Sequence, residues 1–210
     1  KLLPSKYVRD VILDSKEIIL EELRHVLVDI ETIQRNNNDI ENAKIEFISD
    51  SVLYNLPELQ ENFLTGVITS PPYCNRYDYT RTYALELVYL GLGEQEVKDM
   101  RQDLLSCTVE SHSKVNELKR YYESIGQRER FDYIYSTIKE NEAFNEIMFA
   151  LKERKRNGDL NNNGVIRMVE GYFTELAFIF AELYRVCKSG AMVAFVNDNV
   201  RYGGEVIPVD

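Results

Sequence analysis

A short apolar run, Gly66-Val67-Ile68-Thr69, stops at Ser70-Pro71-Pro72-Tyr73. Val67 and Ile68 read as the end of a buried parallel strand. Two consecutive prolines must end it, because neither has an N–H for a ladder and each fixes φ. The next stretch, Cys74-Asn75-Arg76-Tyr77-Asp78-Tyr79-Thr80-Arg81, is dense in tyrosine and arginine. A stiff turn that closes on an aromatic ring at a strand's carboxyl end is a ligand-site geometry in open α/β sheets.

The flanking patterns supply the elements of such a sheet. Pro4 in a first turn, with Val8, Val11, Ile12, Ile18, Ile19, Leu23, Val26, Leu27 and Ile30 at roughly helical spacing, predicts one long helix over 4–35. Asn36-Asn37-Asn38-Asp39 ends it as a polar loop. Ile45-Glu46-Phe47-Ile48 alternates as a strand and runs into Ser49-Asp50-Ser51. A short helix is expected from Leu56 to Phe63, and the strand before the prolines follows. Helix, strand, helix, strand in this order is half of a doubly wound sheet.

Tyr83 to Leu92 reads as a helix behind the turn. Beyond it, Glu94–Leu105, Lys114–Ile125 and Phe131–Arg156 are charged, tyrosine-rich and helical, and the polar loop Asn157–Gly164 closes them off. Arg167–Val186 is a strongly amphipathic helix, Lys188-Ser189-Gly190 its stop, and Ala191–Val196 a buried strand. Arg201-Tyr202-Gly203-Gly204 predicts a turn into another extended segment. The organisation expected is a core over 1–94, a helical insertion over 95–164, and the core continued over 165–210.

At 210 residues the chain can bury one full core. Its formal charge of −10 opposes an unaided grip on duplex DNA, so any contact with phosphates must be local or come from elsewhere. No apolar stretch suffices to span a bilayer, and no secretory signal opens the chain. Cys74, Cys107 and Cys187 are odd in number and lack paired spacing, which fits a reducing cytoplasm. His25 and His112 have no partners at ligand spacing, so no metal chemistry is expected. With Lys1 at its start and Ile207-Pro208-Val209-Asp210 at its end, the sequence reads as a piece of a longer chain or half of a split protein.

The Pro-Pro turn suits one demanding reaction. An exocyclic amine on cytosine or adenine is a poor nucleophile, because its lone pair is delocalised into the ring. Methylating it calls for acceptors that hold both N–H bonds and favour a pyramidal nitrogen. Ser70 offers one such oxygen, and the Pro71 carbonyl, aimed by Pro72, offers the second. Tyr73 gives a face on which an extruded base can stack, worth about 1–3 kcal/mol. What remains is to align the amine with a methyl sulfonium.

Thr69-Ser70-Pro71-Pro72-Tyr73 resembles the catalytic motif of the S-adenosylmethionine-dependent DNA amino-methyltransferases. The serine-first form is most typical of those that make N4-methylcytosine; aspartate- or asparagine-first forms are commoner among N6-adenine enzymes. Glu170-Gly171-Tyr172-Phe173, Glu182 through Gly190, and the strand Ala191–Val196 look like the family's later helix and strand, with Ser189 where a proline is usual. The resemblance covers about residues 45–92 and 165–210. It implies a Rossmann-like methyltransferase α/β three-layer sandwich, here incomplete and carrying the helical insertion. It also implies S-adenosylmethionine as cofactor and double-stranded DNA as partner, with the target base flipped out. By order along the chain Asp50, with Ser51, matches the family's cofactor-adenine contact, and a carboxylate there can accept from an amino group. The family's Gly-x-Gly loop has no match: Gly91-Leu92-Gly93 follows a helix, not a strand. That loop is expected from a missing segment or a second polypeptide.

Other readings stand beside these. The turn could be a surface polyproline ligand, the enzyme could act on RNA bases, or the chain could be a non-catalytic subunit. Cys74 as a cytosine-C5 nucleophile fits poorly, since Tyr73 separates it from the prolines. Asp50 could be a helix N-cap. Arg76, Tyr77, Tyr79 and Arg81 form either a nucleic-acid edge or a solvated loop. Asp198, Asn199 and Arg201 either reach the target base or its phosphate, or build a turn. Lys152–Arg156 is a solvated basic helix end or a DNA contact.

Overall fold

The computed structural model describes residues 14–36 and 44–209, in two units, Lys1–Phe47 and Ile48–Asp210. In the first, α1 runs Ser15–Asn36. The earlier part of the helix expected over 4–35 and the loop at Asn37-Asn38-Asp39 lie outside the described residues. The strand expected at Ile45–Ile48 does not form, and Ile45 and Phe47 are 95% and 90% exposed. Alternation alone cannot make a strand; it needs a neighbour for its ladder, and none pairs with this segment among the described residues.

The second unit opens with α2 (Val52–Asn55) and a 3-10 turn, Leu56–Glu58, so the short helix starts four residues earlier than expected. β1 (Leu64–Thr69) follows, then α3 (Tyr79–Thr82), α4 (Ala84–Tyr89), α5 (Glu94–Asp103) and α6 (Val115–Ser124). The helix expected over 131–156 is two, α7 (Arg128–Glu140) and α8 (Glu142–Arg156). Asn141 divides them: its backbone is extended and its side chain accepts from Phe144 N–H at 2.8 Å, an N-cap that starts a new helix. α9 (Gly164–Val186), β2 (Cys187–Phe195) and a hairpin of β3 (Val200–Tyr202) and β4 (Glu205–Ile207) complete the unit. Gly203 and Gly204, with φ of 55° and 89°, make the two-residue turn whose twist suits such a hairpin.

β1 and β2 pair in parallel, from Leu64 opposite Cys187 to Thr69 opposite Phe195. The register slips between Leu64 and Gly66, whose partner is Met192, so Lys188–Ala191 leave the ladder. Lys188-Ser189-Gly190, expected to stop a helix, is therefore a bulge within a strand, with Gly190 at a φ of 81°. The sheet is buried on one face only: Val67 and Phe195 pack toward the core, while Ile68 and Met192 are 90% and 76% exposed. This corrects the expectation of a fully buried strand. Among the described residues, two parallel strands and a hairpin make an α/β arrangement, not a full three-layer sandwich.

The core lies along α9, whose apolar residues meet Leu118 and Tyr122 of α6, Phe131 and Ile134 of α7, and Phe144, Met148 and Leu151 of α8. Two carboxylates sit within this apolar surface. Glu175 accepts from Lys114 Nζ at 3.1 Å and from the Ser106 backbone N–H at 2.9 Å, and the Ser106 hydroxyl donates to it as well. Glu182 accepts from Tyr122 Oη at 2.9 Å, Arg185 Nε at 2.7 Å and Arg130 at 3.2 Å. Arg185 also donates to the carbonyls of Leu56 and Leu59, tying α9 to the 3-10 turn. Phe63 and Asn62 N–H cap the last carbonyls of α9, which sets where β1 begins. No helix among the described residues is long and apolar enough to cross a membrane.

Removing one member of a buried pair strands the other charge. Lys114→Met should therefore destabilise the fold by about 3–5 kcal/mol, read as a lowered urea midpoint with an unchanged slope. An unchanged midpoint would show that Glu175 does not depend on Lys114.

Candidate active site

β1 ends at Thr69, whose carbonyl accepts from Val196 N–H at 2.9 Å, and the Ser70–Tyr73 turn leaves the sheet immediately beyond. The turn thus stands at the carboxyl end of a parallel strand. Ser70 is exposed, and its Oγ lies 3.5 Å from Tyr73 Oη. Among the described residues no protein donor meets the Pro71 carbonyl, and the Ser70 hydroxyl, at the edge of hydrogen-bond range from Tyr73, keeps acceptor capacity.

The loop after the turn is pinned from several sides. Tyr202 Oη donates to the Cys74 carbonyl at 2.6 Å, and Cys107 Sγ approaches the Tyr77 carbonyl at 3.6 Å. Arg76 donates to Asn161 Oδ1 at 2.9 Å. Asn75 Oδ1 accepts from Tyr77 N–H at 3.0 Å, closing a small turn around Arg76. Arg76 has a φ of 66°, a backbone state uncommon for a side chain of its size and kept only where surroundings impose it. Cys74 is fully buried, and burial drives its thiol pKa upward, so it is no nucleophile.

Asp78 anchors the far end of the loop. It caps α3, accepting from Arg81 N–H at 3.1 Å and Thr80 Oγ1 at 2.7 Å, and Arg101 Nε lies 3.0 Å from its other oxygen. Burial would raise its pKa, but the Thr80 and Arg81 bonds and the Arg101 charge outweigh that and hold it below the usual 3.8. Arg81 itself pairs with Glu110 at 3.3 Å. Tyr77 and Tyr79 pack edge to face, with ring centres 4.9 Å apart.

Four of the expected site residues line two crevices. Arg76 and Arg201 line one open crevice of about 470 Å³, together with Asn75, Leu160, Asn161 and Gly203. Asp50 and Ser51 line another, of about 970 Å³, with Tyr54, Glu96, Asp99 and Asp103. Asp50 does not cap α2, because Ser51 occupies that position and makes no side-chain cap bond; a φ of 78° turns the Asp50 backbone away from the helix. Asn199 Oδ1 accepts from Val209 N–H at 2.7 Å and so closes the hairpin, while Asp198 is exposed. Within the basic run, Arg154 bonds Asp159 and Glu205, and Arg156 bonds Glu153. Asn75, Asn161 and Tyr202 were not singled out from the sequence. The first adjoins the turn and the second opens the run Asn161-Asn162-Asn163, which were the available signals.

The chain is 54% identical over 195 residues, 93% of its length, to the Type II methyltransferase M.BsoBI of Geobacillus stearothermophilus, of which it covers 38%. It is 40% identical over 208 residues, 98% of its length, to the Type II methyltransferase M.AvaI of Nostoc sp. and of Anabaena variabilis, covering 41% of each. It thus spans about two fifths of the length of the curated relatives it matches. No family model matches the chain. No solved structure matches it either.

A carboxylate held below its ordinary value contributes stability that is complete above the unfolded-state pKa and disappears as pH falls through the folded one. Asp78→Asn keeps a capping side chain but removes the charge facing Arg101, so it should lower stability by up to about 1 kcal/mol at neutral pH. The gap from wild type should narrow once pH drops below 3.8. Thermal melts from pH 7 to pH 3 check this, and a gap independent of pH would remove the Asp78 charge from the account.

Proposed function

We propose that this chain is the target-base half of a site-specific DNA methyltransferase acting on an exocyclic amine, cytosine N4 before adenine N6. The observation that carries this is the Ser70–Tyr73 turn at a strand's carboxyl end, with an exposed Ser70 hydroxyl and a Pro71 carbonyl that no protein donor meets among the described residues. Homology to part of Type II methyltransferases supports it, and a restriction-modification setting follows from the same relatives.

Ser70 Oγ and the Pro71 carbonyl would each accept one N–H of the target amine, drawing its lone pair out of conjugation. Pro72 aims that carbonyl by fixing the turn. Tyr73, half-buried and touching Ser70 through its hydroxyl, offers its ring to the extruded base. The proton released by the amine leaves through Ser70 or water at the open corner.

S-adenosylmethionine, when bound, supplies the methyl group on a sulfonium centre. The Asp50 crevice has the donor set for it: carboxylates at Asp50, Glu96, Asp99 and Asp103 suit the cofactor's two cations and its adenine amine. Asp50 and Ser51 would hold the adenine end. The Gly-x-Gly loop absent from this sequence would come from another segment or polypeptide, as the two-strand sheet and the two-fifths coverage favour.

With the intact protein and methyl-labelled cofactor, label should appear in DNA as N4-methylcytosine on nucleoside digestion. Ser70→Ala should cut transfer by at least ~10²-fold while calorimetry shows unchanged cofactor binding. Label in N6-methyladenine would overturn the base, label in RNA alone the substrate, and full activity in Ser70→Ala the mechanism.

A further inference from the structure

The crevice beside Arg76 has a composition at odds with the rest of this acidic chain. Its walls come from three distant segments: Asn75 and Arg76 after the catalytic turn, Asp159, Leu160 and Asn161 after α8, and Arg201–Gly203 at the hairpin. Neither Arg76 nor Arg201 has a carboxylate partner among the described residues, whereas Arg81, Arg101, Arg128, Arg130, Arg154 and Arg185 all have one. The acid that lines the crevice, Asp159, meets Arg154 at 3.2 Å, a guanidinium it shares with Glu205.

The two amides add donors, not acceptors. Asn75 Oδ1 is taken by Tyr77 N–H, and Asn161 Oδ1 by Arg76, and neither amide's N–H₂ group has a protein acceptor among the described residues. Arg76 is held in its uncommon backbone state with its guanidinium aimed by Asn161, so it need not be ordered on binding. The third wall is fixed in turn. Tyr202 Oη ties the hairpin to the Cys74 carbonyl, and a Cβ on Gly203 would come within 2.9 Å of Leu160 Cδ2, so the hairpin seats closely on the 159–161 loop.

We propose that this crevice binds a backbone phosphate of the DNA strand whose base enters the Ser70–Tyr73 corner, with the 159–161 loop serving to hold Arg76 for it. Two unpaired guanidiniums and two amide donors match a phosphodiester's oxygens, and the place, two residues beyond Tyr73, suits a phosphate neighbouring the stacked base. The proposal rests on the DNA reading above, and it gives the helical segment ending at α8 a part in substrate binding. It also separates Arg76 and Arg201 from Arg81, whose charge is matched by Glu110.

The test uses the intact protein and a duplex that the wild type methylates, with affinity measured across salt concentrations. Arg76→Gln and Arg201→Gln should each reduce the slope of log affinity against log salt by about one, and weaken binding about tenfold at 0.1 M salt, without changing which base is methylated. Asn161→Asp keeps the contact with Arg76 but quenches its charge, so it should reproduce the Arg76→Gln slope; Asn161→Ser, which brings no charge, should lose less. Arg120→Gln, an exposed arginine on α6 bonded only to the Asn116 carbonyl, should leave the slope unchanged. Unaltered slopes in both crevice arginine variants, or an equal drop in Arg120→Gln, would overturn the phosphate seat and leave the methyltransferase reading standing. A wild type that methylates no duplex would overturn both.

Discussion

Two carboxylates buried along α9 govern how the second unit holds together. Glu175 and Glu182 lie in an otherwise apolar surface, where an unpaired charge would be prohibitive. Each is met by groups from far along the chain: Lys114 and Ser106 for Glu175, Tyr122 and Arg130 for Glu182. Burial still pushes the Glu175 carboxyl up against the pull of Lys114. The helices of 95–164 cannot dock on α9 in another register without breaking these contacts, so apolar packing supplies attraction and the acids supply position.

That position is passed on to the chemistry. Ser106, fixed by Glu175, precedes Cys107, whose sulfur meets the Tyr77 carbonyl. Tyr172 on α9 accepts from Asn197 at 2.5 Å, just beyond β2, and Tyr202 reaches back to Cys74. The loop carrying Asn75 and Arg76 is thus braced by the segment after α5, by Asn161 and by the hairpin. Precision at a corner built from prolines would be of little use if the chain following it could swing.

What the sequence revealed was local chemistry, and what it concealed was partnership. Proline's missing N–H ends β1 wherever the strand lies, so the turn at Ser70–Tyr73 could be read directly. Most of the helical segments in 94–156 and α9 were legible from their periodicity. Three features misled because they depend on neighbours. Ile45–Ile48 alternates but has no ladder to join; Lys188-Ser189-Gly190 looks the same as a helix stop and as a strand bulge; Asn141 caps a helix inside a run that reads as continuous. Arg81 and Asn199, each read from the sequence as either a ligand contact or part of a loop, bond Glu110 and the Val209 N–H. Glu175 and Glu182 were visible as acids in an apolar helix, but only the fold shows their matching groups.

The pairing of β1 with β2 has a further consequence. Among the described residues each strand has a neighbour on one side only, so each also turns a row of backbone N–H and C=O groups outward, next to the bare Ile68 and Met192. Such rims are templates for any extended peptide, whether a rightful continuation of the ladder or a stray chain of the same kind. Left uncovered, this unit should be prone to self-stacking through its sheet.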